Sequence, residues 1–351
     1  MKTYRRLYDR LWDFEHLYWA YRRARRGKRS KVPVAKFERF QEEELLALQQ
    51  ALKEETYLPG PYHSFYIHEP KRRLISAAPF RDRVVHHALV ALLEPLWEPR
   101  FIYDSYANRK GKGTHRALER AQSFARSFPY VLQCDVCQFF PSIDHELLQN
   151  AMARLIRDER VLRLAALILE SGQGVLSEAY DMVYFPGDDL MAFFRPRGLP
   201  IGNLTSQFWA NVYLNPLDHF VKRSLKARGY VRYVDDFLLF SDSKSTLHRW
   251  RRRLIEFLAQ WRLTLHAQRA QVYPVHTGIP FLGFRLFPEY RRLKRRNVVQ
   301  ARRRLRSHLR AYRRGEMTRQ AFEASLRGWL NHARHAQTWR LRKDLLQEVR
   351  L

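Results

Sequence analysis

Asp235 and Asp236 stand side by side in an otherwise apolar run, Tyr233-Val234-Asp235-Asp236-Phe237-Leu238-Leu239-Phe240. Two adjacent carboxylates in such a segment repel each other and resist burial, and a divalent cation relieves both problems at once. An Asp-Asp turn on a surface hairpin suits the same residues equally well, because aspartate favours turns. Asp135 shifts that balance. It is the one acid in Leu132-Gln133-Cys134-Asp135-Val136-Cys137-Gln138-Phe139-Phe140, a strand-like segment where an unpaired carboxylate is expensive. Oxygen ligands on two neighbouring strands are what two-metal phosphoryl transfer requires: one ion activates an attacking hydroxyl, the other holds a triphosphate and its leaving pyrophosphate.

Other candidate groups carry less. Gly111-Lys112-Gly113-Thr114 lacks the upstream glycine spacing of a P-loop. Cys134 and Cys137 form a C-x-x-C pair, but it straddles the strand acid and has no second pair, which argues against zinc or redox use. Asp144, just before His145-Glu146-Leu147, reads as the N-cap of a helix. His332 and His335 sit among Trp329, Leu330 and Arg334, as in a packed helix that touches nucleic acid.

These groups need a scaffold, and 351 residues with 46% apolar and 14% aromatic side chains can bury one. The formal net charge is +29, which points to a polyanionic partner, nucleic acid before any membrane surface. The charge is uneven. Residues 1–31 hold 11 basic and 3 acidic side chains, residues 291–351 hold 19 and 4, and the 259 residues between them are nearly balanced. A globular body with basic flanking elements that grip a phosphate backbone follows. No apolar run reaches the ~18 residues of a membrane span. Two cysteines and an N-terminus without a secretory pattern imply a reducing, cytoplasmic setting.

Apolar periodicity predicts an N-terminal helix through Leu7, Leu11, Phe14, Leu17, Tyr18 and Tyr21, and a second over 34–53. A β-ribbon follows over 62–75, then helices over 81–94 and 145–169 with the strand 132–139 between them. A helix at 202–226 precedes the hairpin 231–240, whose turn is Val234-Asp235-Asp236. A helix over 244–261, short strands near 271–275 and 281–287, and basic helices from Asn297 complete the chain. The fold class is α+β.

At this point the sequence resembles the reverse transcriptases, and within them the bacterial group-II-intron-like branch. Tyr233-Val234-Asp235-Asp236 resembles the catalytic tetrad of that family, and Asp135-Val136-Cys137-Gln138-Phe139-Phe140 its first carboxylate motif. Arg197-Gly198-Leu199-Pro200-Ile201-Gly202-Asn203-Leu204-Thr205-Ser206-Gln207 resembles the loop and helix start of the nucleotide pocket. Phe281-Leu282-Gly283-Phe284 is similar to the primer-grip strand. Lys71-Arg72-Arg73-Leu74-Ile75 and Phe80-Arg81-Asp82-Arg83-Val84-Val85 resemble the fingers motifs, and Tyr106 to Thr114 the segment between fingers and palm. The set runs in the family's order over about residues 62–290. It implies a right-hand polymerase: a basic helical extension over 1–61 packing on the fingers, fingers and palm over 62–290, and a basic helical thumb over 291–351.

The resemblance implies roles as well. Asp135, Asp235 and Asp236 would be the metal carboxylates, with the Val136 carbonyl completing one site for two Mg²⁺ ions, or Mn²⁺ in their place. Arg72 would meet the triphosphate, with Lys71 and Arg73 able to share that task. Phe140 would lie under the nucleotide sugar and exclude a 2′-hydroxyl, and Ile201, Gly202 and Gln207 would shape the pocket. Most members carry Gln at the Ile201 position and Pro at the Gln207 position; the form here resembles the enzymes of diversity-generating retroelements and some related stand-alone bacterial enzymes. The former resemblance implies error-prone cDNA synthesis from an RNA template, a DNA or RNA primer, dNTP substrates and a small basic accessory protein, with no membrane partner. A defence-associated stand-alone reverse transcriptase and an RNA-binding splicing helper with a vestigial polymerase fold are the alternatives. One departure stands out: Arg269 occupies the place of a family Lys that can protonate pyrophosphate, and arginine cannot readily release a proton.

Overall fold

The computed structural model describes residues 3–68 and 72–348; Lys71 lies outside them. The chain opens with α1 (Tyr8–Leu11), α2 (Phe14–Ala24), α3 (Val32–Arg39) and α4 (Gln41–Lys53). The single helix expected over 34–53 is two, broken at Phe40, whose φ of −122° leaves the helical region. The ribbon β1 (His63–Ile67) and β2 (Arg73–Ala77) follows, then α5 (Phe80–Trp97) and α6 (Thr114–Ser127). The N-terminal helix α2 packs along α5.

The centre is an antiparallel sheet in the order β4-β5-β3-β6, made by β3 (Tyr130–Asp135), β4 (Gly229–Tyr233), β5 (Asp236–Ser241) and β6 (Gln271–Pro274). Helices α7 (Phe139–Ser142), α8 (His145–Ala153), α9 (Glu159–Ser171) and α10 (Leu204–His219) lie between β3 and β4, and α11 (Lys244–Gln260) between β5 and β6. Alternation along β3 and β5 divides the apolar side chains between two cores. Leu132, Phe237 and Leu239 join the large core shared with α2, α5 and α10, whereas Val131, Leu238 and Phe240 meet α6 on the opposite face. Each such fully buried side chain contributes ~1.5–3 kcal/mol.

A second sheet, β7 (Ile279–Phe281), β8 (Phe284–Leu286) and β9 (Arg291–Leu293), leads to α12 (Arg295–Arg313), α13 (Arg319–Ala333) and α14 (Trp339–Glu348). These last helices enclose a small core of their own around Leu305, Leu309, Phe322, Trp329 and Leu345. Among the described residues no helix is long and apolar enough to cross a membrane.

The helix expected over 145–169 is interrupted where the N-terminus docks. Tyr4 N–H donates to the Leu155 carbonyl at 3.0 Å, and Arg157 N–H donates to the Tyr4 carbonyl at 2.8 Å. Asp158 caps α9 and also accepts from the Leu7 and Tyr8 N–H groups, at 2.6 and 3.0 Å. Asp144 caps α8 through the Leu147 N–H at 3.0 Å, as its sequence context indicates.

Candidate active site

Strand β3 ends on Asp135 and β5 begins on Asp236, and the two are register partners across the sheet. Tyr233 pairs with Asp236 in β4–β5, so the turn is the two residues Val234 and Asp235, not the three expected. A two-residue hairpin loop needs left-handed backbone, and Val234 supplies it at φ +57°. That conformation is unfavourable for a β-branched residue, by ~1–3 kcal/mol. Two contacts hold it: Arg232 Nη1 donates to the Val234 carbonyl at 3.0 Å, and Val136 N–H to the Asp235 carbonyl at 3.3 Å.

Arg232 is itself fixed by a fully buried ion pair. Its Nε and Nη2 donate to the two Asp218 oxygens, each at 2.7 Å, and the Tyr230 hydroxyl adds a third bond at 2.8 Å. Its Nη1 also reaches Asn211 Oδ1 at 3.3 Å. Sequence reasoning missed Arg232, Asp218 and Asn211. An arginine inside a strand of buried residues was the available signal, since burial without a counter-ion is prohibitive.

The carboxylates face an open cleft of about 1010 Å³ lined also by Arg73, Phe140, Ile201, Arg269, Arg285 and Lys294. Burial, then the charge of Asp135, pushes Asp235 up to about 6. Burial, then Asp135 and Asp235, pushes Asp236 up to about 8. Asp236 Oδ1 is buried with no hydrogen-bond partner. Hard oxygen donors that destabilise one another's charge, one of them orphaned, fit a divalent cation. Among the described residues no three His, Cys, Asp or Glu side chains already converge to hold an ion, and Asp135 is ion-paired with Arg269. A guanidinium sits against the carboxylate that a cation would share.

The remaining predicted residues are divided. Phe140, Ile201 and Val136 line the cleft. The Ile201 carbonyl accepts from Ser76 N–H of β2 at 2.8 Å, joining pocket and ribbon. Gly202 has φ +120°, and an added Cβ would lie 2.9 Å from the Ile75 side chain, so glycine is required where ribbon and pocket loop meet. Gly202 and Gln207 are exposed and outside the cleft lining. Arg72 lies over the Tyr66 ring, 4.0 Å from its centroid and outside the lining; Arg73 is the ribbon arginine in the cleft. Asn203 was also missed as a tie: its side chain accepts from Ala78 N–H at 3.1 Å and donates to the Ser76 carbonyl at 2.8 Å.

A small antiparallel sheet whose cleft is lined also by Arg73 of the β-ribbon and by Lys294 at the start of the basic helices fits a nucleic-acid polymerase of right-hand form. The model of the family "Reverse transcriptase (RNA-dependent DNA polymerase)" matches residues 67–286, and the chain belongs to that family. Protein YkfC of Escherichia coli is 26% identical over 296 residues, 73% of this chain and 74% of that protein. Group II intron-encoded protein LtrA of Lactococcus lactis subsp. cremoris is 28% identical over 185 residues, 52% of this chain but 29% of its own length. Among solved structures, telomerase from Candida albicans superposes with a TM-score of 0.44 at 12% identity, over 68% of this chain and 46% of that one.

Proposed function

We propose that the chain synthesises cDNA on an RNA template from a DNA or RNA primer, and that it is the error-prone enzyme of a diversity-generating retroelement. Asp135, Asp235 and Asp236 all line one cleft together with Arg73, Arg269, Arg285 and Lys294, and that shared lining carries the polymerase reading. Asp135, Asp235, Asp236 and the Val136 carbonyl are the groups that would hold Mg²⁺ or Mn²⁺. Bound there, such ions supply Lewis-acid activation of the primer hydroxyl and charge neutralisation on the triphosphate.

The chain's own groups do the rest. Arg73 in the cleft meets triphosphate oxygens with a planar fork whose charge persists at any working pH. Arg72 is near enough in sequence to assist. Phe140, half-buried in the cleft, presents a ring that excludes a 2′-hydroxyl. Arg269, ion-paired with Asp135, carries a lasting charge into the cleft, so departing pyrophosphate is either stabilised there by charge or protonated by another group. Within this reading residues 1–61 brace the fingers, 62–290 form fingers and palm, and 291–351 form the thumb.

The retroelement assignment rests on the form Ile201-Gly202-Asn203-Leu204-Thr205-Ser206-Gln207, in which the resemblance sets Ile201 where most of the family carry Gln and Gln207 where most carry Pro; of these, Ile201 lines the cleft. A splicing helper is the second reading, favoured by the likeness to an intron-encoded protein. Primer extension on an RNA template with Mg²⁺ tests the proposal. The unmodified chain should extend the primer, and Asp235→Asn should abolish extension while RNA binding stays within about twofold. Extension by Asp235→Asn, or none by the unmodified chain, would remove the catalytic assignment.

A further inference from the structure

Trp339 opens α14 with 73% of its surface in water. Leaving so large an apolar ring uncovered is costly, and its surroundings state what would cover it. The ring stands at the edge of a groove of about 610 Å³ lined also by Arg292, Val298, Arg340, Leu341 and Arg342. The Arg342 guanidinium lies 5.8 Å from the Trp339 ring centroid. Arg342 Nε is buried without a hydrogen-bond partner. Among the described residues no carboxylate lies within ion-pair distance of Arg292, Arg340 or Arg342.

The groove is built rather than incidental. Gln337 N–H donates to the Arg291 carbonyl at 2.9 Å, and the buried Thr338 hydroxyl donates to the Ala333 carbonyl at 2.6 Å. The first bond docks the α13–α14 turn on β9, the second ties that turn to the end of α13, and Trp339 and Arg292 line the same groove. Arg292 in turn lies over the stacked rings of Phe287 and Tyr290, at 5.8 and 5.1 Å. The groove also adjoins the catalytic cleft: Arg292 and Leu293 line the first, and Lys294 lines the second.

An exposed π-face among guanidinium groups that have no carboxylate partner among the described residues matches a nucleotide: the base stacks on the ring and the phosphates meet the arginines. A base is free to stack this way only when it is unpaired. We infer that the Trp339 groove is a binding site for an unpaired nucleotide of a nucleic-acid strand that enters or leaves the catalytic cleft. This rests on the polymerase reading for the presence of such a strand.

The test is fluorescence-anisotropy binding of the full chain, without metal or dNTP, to a 12-nucleotide single-stranded RNA, the matching single-stranded DNA and a blunt duplex. Base–aromatic stacking of ~1–3 kcal/mol converts to about 5- to 150-fold in affinity. Trp339→Ala should weaken single-strand binding by at least about fivefold and leave duplex binding within about twofold. Trp339→Phe should recover most of the loss. A larger loss on RNA assigns the site to the RNA strand, a larger loss on DNA to the DNA strand, and equal losses to either. No loss on single strands, or an equal loss on the duplex, overturns the site. Extension by the unmodified chain is scored separately, so failure of the polymerase reading is distinguishable from failure of this one.

Discussion

Arg232→Met separates the stability of the central sheet from the placement of the turn that presents Asp235. Arg232 and Asp218 are both fully buried, with two bonds of 2.7 Å between them. Removing the arginine strands the Asp218 carboxylate with the Tyr230 hydroxyl alone, at a cost of ~3–5 kcal/mol. That is a large part of the ~5–15 kcal/mol by which a folded domain is stable. Replacing both partners, Arg232→Met with Asp218→Leu, removes both buried charges and should restore most of that stability. The Val234 carbonyl nevertheless loses its charged donor, a bond of ~1.5–3 kcal/mol, so the left-handed turn presenting Asp235 relaxes. Expressed in the rate, that is about 10- to 150-fold. Urea unfolding and primer extension on the same three proteins provide the check. The single variant should be much less stable and nearly inactive, and the double variant should be stable yet still slow. A single-variant cost below ~1 kcal/mol would refute the buried-pair argument, and a double variant recovering extension along with stability would refute the turn argument.

Exchanging the exposed Arg303, Arg304 and Arg310 of α12 for Gln should lower the slope of log K against log salt by ~0.9 for each duplex phosphate that is no longer neutralised; an unchanged slope places the grip elsewhere. Ile201→Gln should reduce misincorporation, because packing alone separates small shape differences by only ~1–3 kcal/mol. Sequencing cDNA made by both forms on one template reads this out, and equal error rates would remove the basis of the mutagenic proposal. Burial lowers His86 of α5 to about 3, so its neutral form supports the fold fully above the unfolded value near 6.5, and that support drains away as pH falls toward the folded value. Between pH 7 and pH 5 the urea-derived stability should drop by ~2 kcal/mol from this group, and His86→Leu should shrink that drop. A drop of the same size in the variant would place the acid sensitivity in other groups.

The family was legible in the chain through an ordered set of motifs over about residues 62–290, and its model matches residues 67–286. The candidate carboxylates stood out because an acid inside an apolar strand is a chemical anomaly that local sequence displays. Most helices were legible too, through periodicity and caps such as Asp144. Their interruptions were not. The break before α9 falls where residues 155–157 pair with Tyr4, a contact spanning some 150 positions, and the turn is two residues long because Tyr233 pairs with Asp236 in the β4–β5 register. Arg72 and Arg73 are equivalent as sequence, and strand alternation with the pairing of β1 and β2 decides which enters the cleft. Likewise the partner of Arg269 could not be read from its neighbours in the chain, since Asp135 lies 134 residues away. The sequence carries the identity of the reactive groups because that is composition and spacing. Their partners are set by register and long-range packing, which depend on elements that no local pattern specifies.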